Sequence, residues 1–344
     1  MRRVIKIAAA SVATAALAFT ATACGESSTE SGGKNKGVGL AFDVGGRDDH
    51  SFNEAAARGA DKAKKELGVG HKMLTAKNNE TEADREQRLT SLAEAGYNPV
   101  VGVGFTYGKS ISKVAKDFPD TTFAVVDSVS PGKNVDSIVF SEHEGSYLAG
   151  VAAALKTKTG KVGFIGGVNN ALIQKFQAGF EQGIRETDKK VKISSEYLYA
   201  NNDKGFNDPA AAKEKAKGML DRGIDVVYSA AGQSGAGSIE AVSGKKGAWA
   251  IGVDSDQYQQ PGLAKYKDAI LTSVVKNVDV GVYDVVKSVK DGKPLTGTHA
   301  YPLDKDGVRL ATSGGFIDDI KPKIDAAKKK IIDGDIKVED SPKK

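Results

Sequence analysis

Apolar residues in this chain come in short, unbroken runs such as "VGLAF", "VVGVGF" and "FAVVD", separated by stretches in which they recur every three or four positions. The short runs predict buried strands at 38–42, 72–76, 100–105, 123–127 and 137–140. After a helix at 147–155, further strands are predicted at 162–165, 194–198, 226–230, 249–253 and 270–274. The stretches of helical period lie near 51–67, 82–95, 110–117, 173–186, 209–222, 235–243 and 278–290. Strands alternating with helices of this length form parallel sheets covered on both faces. The alternation comes as two series broken around 142–158, which predicts an α/β protein of two Rossmann-like lobes.

The last third departs from simple alternation. "HAYPLDKDGVRLA" reads as a hairpin turning through 305–307, and an amphipathic helix is predicted at 318–332. This layout resembles the type I periplasmic-binding-protein fold, which implies two lobes joined by a three-strand hinge. The expected division places 37–148 and 276–298 in an N-terminal lobe, and 149–275 and 299–340 in a C-terminal lobe. Open α/β sheets bind ligands outside the carboxyl ends of their strands, so two facing lobes would enclose a ligand among those loops.

The chain start changes the picture of location. Arg2, Arg3 and Lys6 precede an Ala-rich apolar run too short to span a membrane, and small residues lead to Cys24. Residues 1–23 therefore read as a secretory signal, and the cysteine directly after it resembles the lipobox of bacterial lipoproteins, making Cys24 the expected lipid-anchored residue. Residues 24–36, polar and rich in Gly and Ser, read as a flexible tether. Cys24 is the single cysteine, so no disulfide is expected and the body must be held by its core. Residues 1–23 hold three bases and no acids, so their removal lowers the formal charge from +5 to +2. No clustered arginines interleave with aromatics, which argues against a nucleic-acid partner.

The loops after the strands carry the candidate chemistry. The first holds Asp43, Gly45, Gly46, Asp48, Asp49, Ser51, Phe52 and Asn53. Ser51 and Glu54 have capping-box spacing, which makes Ser51 the expected N-cap and turns Phe52 and Asn53 toward a cleft. Later strands are followed by residues 105–107, by Asp127, and in the second lobe by the loop containing Phe206 and by "SAAGQSGAG" with Gly232. Two more strands end in Asp254 and Lys276. Aspartates at turns also serve as caps, but two apolar strands ending in aspartate on one wall point to ligand contact. Paired aromatic rings suit a flat ligand. Many carboxylates with one cation argue against a phosphate or carboxylate ligand and for a neutral one rich in hydroxyls.

As a set, "AFDVGGRDDHSFNEAAARG", "FAVVDS", "SIVFSEHEGSYLAGVAAALK", "KVGFIGG", "FQAGFEQG", "AAGQSGAGSIEA", "IGVDSDQY" and "LTSVVKNVDVGVYD" resemble the basic membrane protein family of lipoproteins, which includes purine-nucleoside receptors feeding ABC importers. The resemblance spans roughly residues 37–290. It implies a nucleoside held between the lobes, with contacts falling on Asp43, Phe52, Asn53, Asp127, Phe206, Gly232, Asp254 and Lys276. In that pattern Phe52 and Phe206 sandwich the base, and Asn53 and Asp127 bond its edge. Gly232, Asp254 and Lys276 meet the ribose. The chain departs from the pattern chiefly at the Phe206 loop, with its inserted Asn-Asn-Asp-Lys. The implied partners are a nucleoside, an ABC permease and the membrane that holds the lipid. No cofactor is expected, and the protein is expected to act as a monomer.

Two other classes stay open. A sensor of the same fold could bind a sugar or signalling molecule, since fold does not decide ligand. A nucleoside-hydrolysing enzyme would need calcium at "DVGGRDD", but calcium takes six to eight oxygens, Gly45 stands where a second early aspartate would be needed, and Arg47 would place a cation beside the metal. In "SEHEG", at 141–145, the neighbouring side chains point different ways, so a surface or capping role is expected there rather than a metal site.

Overall fold

The computed structural model describes residues 35–77 and 80–343. Cys24, the signal and all but the end of the tether lie outside the described residues. The first lobe is built on β1 (Val38–Phe42), β2 (His71–Leu74), β3 (Val100–Val103), β4 (Phe123–Val126), β5 (Val135–Phe140) and β11 (Gly297–Tyr301). These form a parallel sheet in the order β11-β5-β4-β3-β1-β2. α1 (Phe52–Leu67) and α8 (Val278–Lys290) pack together in this lobe, as do α2 (Glu82–Glu94) and α3 (Gly108–Val114).

The second lobe repeats the plan. β6 (Lys161–Val168), β7 (Lys192–Tyr199), β8 (Val226–Ala230), β9 (Trp249–Asp254), β10 (Ile270–Lys276) and β12 (Val308–Leu310) form a sheet in the order β12-β10-β9-β8-β6-β7. Only β12 runs antiparallel to its neighbour. α4 (Glu142–Lys156) packs on α5 (Ala171–Thr187), and α6 (Pro209–Asp221) on α7 (Gly235–Ser243). α9 (Lys321–Ile332) packs on α4.

The core follows from the apolar runs. Every residue of β1, β3, β4, β8 and β10 is buried, because helices cover both faces of each sheet. α4 and α5 approach closely enough that a Cβ at Gly150, Gly179 or Gly183 would sit 2.0–2.2 Å from a backbone oxygen of the facing helix. Glycine is what allows that contact.

The chain crosses between the lobes three times: at Ser141, at Asn277 and at Pro302. The crossings are tied to one another. Asn277 N–H donates to the Gly307 carbonyl at 2.9 Å, and Leu303 N–H to Glu144 Oε2 at 2.8 Å.

The observed crossings refine the expected division. α4, expected to straddle the boundary near residue 148, packs wholly with the second lobe on α5, β10 and α9, while β11 extends the first sheet as far as Tyr301. The expected hairpin also resolves differently. β11 pairs with β5 and β12 pairs with β10, so the two segments join different sheets. The turn at 302–307 is a hinge crossing, and strand partners distant in sequence override its local hairpin spacing.

Candidate ligand-binding cleft

The carboxyl ends of both sheets face a cleft between the two lobes. From the first lobe it is lined by Asp43, Phe52, Phe105 and Asp127, among others, and from the second by Phe176, Phe206, Gly232, Asp254 and Lys276. The two lobes contribute matching positions. Asp127 follows β4 with φ +67°, and Asp254 ends β9, the equivalent strand, with φ +62°. Aspartate tolerates this left-handed conformation better than most residues, and it turns each carboxylate off the strand end. Phe52 opens α1, and Leu172, Ile173 and Phe176 lie in the first turns of α5, the corresponding helix of the second lobe.

Lys276 is the one cation among the lining residues. Its side chain is 2 % exposed, and Nζ lies 2.6 Å from Asp127 Oδ2 and 3.6 Å from Glu142 Oε1. It also sits 4.7 Å from the Phe52 ring centroid and within 5.6 Å of those of Phe140 and Phe176, where the faces of the rings attract a cation. Burial alone would depress its pKa, but the carboxylates of Asp127, Glu142 and Asp254 outweigh that and hold the ammonium above the ordinary lysine range.

The carboxylates respond the opposite way. Burial lifts Asp43 well above its usual value against the Asn53 hydrogen bond. It also raises Asp254, against Lys276 and the Ser51 hydroxyl. Glu142 is pushed up to about 7, burial again outweighing Lys276.

Of the eight residues expected at the ligand, seven line the cleft, and Asn53 stands behind them. Asn53 is 1 % exposed, and its Nδ2 donates to Asp43 Oδ1 at 2.9 Å and to the Val44 carbonyl at 3.1 Å. It therefore orients Asp43, while its own Oδ1, like Asp127 Oδ1, is buried without a hydrogen-bond partner. Phe206 meets Phe105 across the mouth of the cleft, edge to face, with centroids 6.2 Å apart at 70°. Gly232 packs beside the Phe206 backbone and Cβ. It has φ +53°, and a Cβ there would come within 3.3 Å of the Phe206 carbonyl oxygen.

The expected capping box is replaced. Asp49 caps α1, its carboxylate accepting from the N–H groups of Ser51, Asn53 and Glu54 at 2.8–3.1 Å. Ser51 is released to reach across the cleft, where its hydroxyl donates to Asp254 Oδ2 at 2.7 Å, and its carbonyl accepts from Ser255 Oγ, also at 2.7 Å. Gln257 Nε2 donates to the His50 carbonyl at 3.3 Å in the same seam. Asp127–Lys276 and Ser51–Asp254 thus join the lobes at the site itself. Glu142, expected at the surface or as a cap, is 1 % exposed, because α4 starts directly behind the Lys276 ammonium.

The family model described as "ABC transporter substrate-binding protein PnrA-like" matches residues 36–342. The chain belongs to this family. Among PnrA-like relatives, the CD4+ T-cell-stimulating antigen of Listeria innocua is 36 % identical over 93 % of this chain and 94 % of its own. The ABC transporter nucleoside-binding protein BmpA of Lactococcus lactis is 35 % identical over 98 % of this chain and 99 % of its own. Among solved structures, an ABC transporter solute-binding protein from Aeropyrum pernix superposes with a TM-score of 0.75 at 28 % identity, covering 87 % of this chain and 92 % of that one. The PnrA-like chain therefore has the two-lobed periplasmic-binding-protein fold, and membership makes it a substrate-binding protein of the ABC transporter class. Among the described residues, no helix is long and apolar enough to cross a membrane.

Proposed function

We propose that the protein is a lipid-anchored extracytoplasmic receptor that closes its lobes on a nucleoside, purine in preference, and delivers it to an ABC permease without chemical change. The observation that carries this reading is the composition of the cleft: aromatic rings from both lobes beside buried acceptors, with one lysine already neutralised by carboxylates. The rings suit a flat base. Asp127, which lines the cleft, has an Oδ1 that needs a donor the protein does not supply, and the N–H groups and hydroxyls of a nucleoside provide it. A phosphate would add negative charge beside Asp43, Asp49, Asp127 and Asp254. The nucleoside-binding relative from Lactococcus supports the ligand class. Cys24 after its apolar leader supports the anchor, as do archaeal relatives described as lipoproteins.

In this reading Phe52 and Phe206 hold the base, Asp127 its edge, and Asp254 and Lys276 the ribose. Closure is a hinge motion about the three crossings. A thermal unfolding screen of nucleosides, free bases and hexoses tests it. A nucleoside at a hundredfold excess over its dissociation constant is expected to stabilise the protein by about 2.7 kcal/mol. A shift with hexoses and none with nucleosides would transfer the site to the sugar-binding reading.

A further inference from the structure

The Lys276 ammonium has two close carboxylate partners with different fates when the lobes part. Asp127 belongs to the first lobe, so its 2.6 Å contact spans the cleft and must break on opening. Glu142 begins α4, which packs against β10, the strand that ends in Lys276. Both residues ride on the second lobe, and their 3.6 Å approach survives a rigid hinge motion. Glu142 does not line the cleft, and its other oxygen lies 3.6 Å from Lys175 Nζ without a hydrogen-bond partner. A carboxylate buried to this degree is costly unless it serves a charge partner. Its seat in the first turn of α4 favours negative charge.

We infer that Glu142 is a positioning residue of the ligand site, holding the Lys276 ammonium from within the second lobe so that it stays aimed into the cleft while the lobes are open. Asp254, the other second-lobe carboxylate near Lys276, lines the cleft, where it meets the first lobe's Ser51 and the ligand, whereas Glu142 stands outside the lining and has no competing partner from the first lobe. The ammonium of the open receptor is then pre-organised for a ligand hydroxyl, and Asp127 returns as closure completes.

This inference rests on the nucleoside reading for its ligand, but not for the residue pair. Adenosine and guanosine are titrated calorimetrically into the wild type, E142Q, K276M and the double variant at pH 8.5, above the value of about 7 to which Glu142 is raised. E142Q is expected to weaken binding about tenfold or more, and E142D to recover most of the loss. Added to K276M, E142Q is expected to change affinity less than about threefold, because a residue acting through another loses its effect when that other is gone. Wild-type affinity in E142Q, or an equal loss in both backgrounds, overturns the inference. Thermal unfolding of the same four proteins without ligand reads the pair directly: non-additive shifts support it and additive shifts overturn it. If neither nucleoside binds the wild type, the functional reading fails, and the ligand-free cycle still decides the role of Glu142.

Discussion

Lys276→Met is expected to weaken nucleoside binding by about a hundredfold or more, the largest loss of any single cleft substitution. Truncating one member of a buried, hydrogen-bonded ion pair costs about 2–5 kcal/mol, much of it from the charge left behind. Here the substitution would leave Asp127 and Asp254 facing a methionine across the cleft, with their mutual repulsion unrelieved, while Glu142, raised by burial and no longer lowered by Lys276, takes up a proton. That repulsion acts on closure in particular, because Asp127 comes from one lobe and Asp254 from its partner. Calorimetric titration measures the loss, and circular dichroism checks that the variant folds. Asp127→Asn removes the inter-lobe contact while keeping the shape, and it is expected to weaken binding in the same direction. A Lys276→Met protein that folds and binds within about threefold of the wild type would remove the ion cluster from the account of affinity.

The second large effect separates sugar from base. Asp254→Ala is expected to weaken ribonucleosides more than 2′-deoxynucleosides, narrowing the gap between them. In the wild type, a buried carboxylate built to meet vicinal hydroxyls is left short of a partner by the deoxy ligand, at about 1–3 kcal/mol for each unpaired group. Phe52→Ala is expected to weaken both ligands by similar factors, because contact with a ring face does not depend on the sugar. Its loss also removes a ring 4.7 Å from the Lys276 ammonium, so a small ribose-dependent component is expected on top. Titration of both ligands into both variants gives the four affinities needed. An unchanged ribose-to-deoxyribose ratio in Asp254→Ala would place Asp254 away from the sugar.

The fold was legible because strands of covered parallel sheets are apolar on both faces. "VVGV" at Val100–Val103 and "FAVV" at Phe123–Val126 are fully buried, and no amphipathic alternation obscures them. Asp127 and Asp254 stood out for the same reason, as polar residues closing apolar runs. What escaped the sequence depends on contacts between distant segments. Phe176 has the spacing of a helix-core residue, and only the approach of α5 to β10 brings it within 5.6 Å of Lys276. Phe105 was visible at a strand end, but its pairing with Phe206 requires the second lobe. Asp49 displaced Ser51 as the cap because a carboxylate can accept all three free N–H groups while a hydroxyl cannot. Glu142 is adjacent to a histidine and one residue from a second glutamate, a local pattern typical of a solvated helix start. Its burial follows from the crossing at Ser141, which delivers α4 behind Lys276.

A nucleoside held between the lobes survives gentle purification and leaves when the chain unfolds. Native mass spectrometry of the mature chain, purified without denaturant and then again after unfolding, reads this occupancy. The expected result is a bound species of ribonucleoside mass at one per chain, released on unfolding, absent from Lys276→Met and regained by the stripped wild type on addition of adenosine or guanosine. A retained hexose, with no uptake of either nucleoside by the stripped protein, would contradict it.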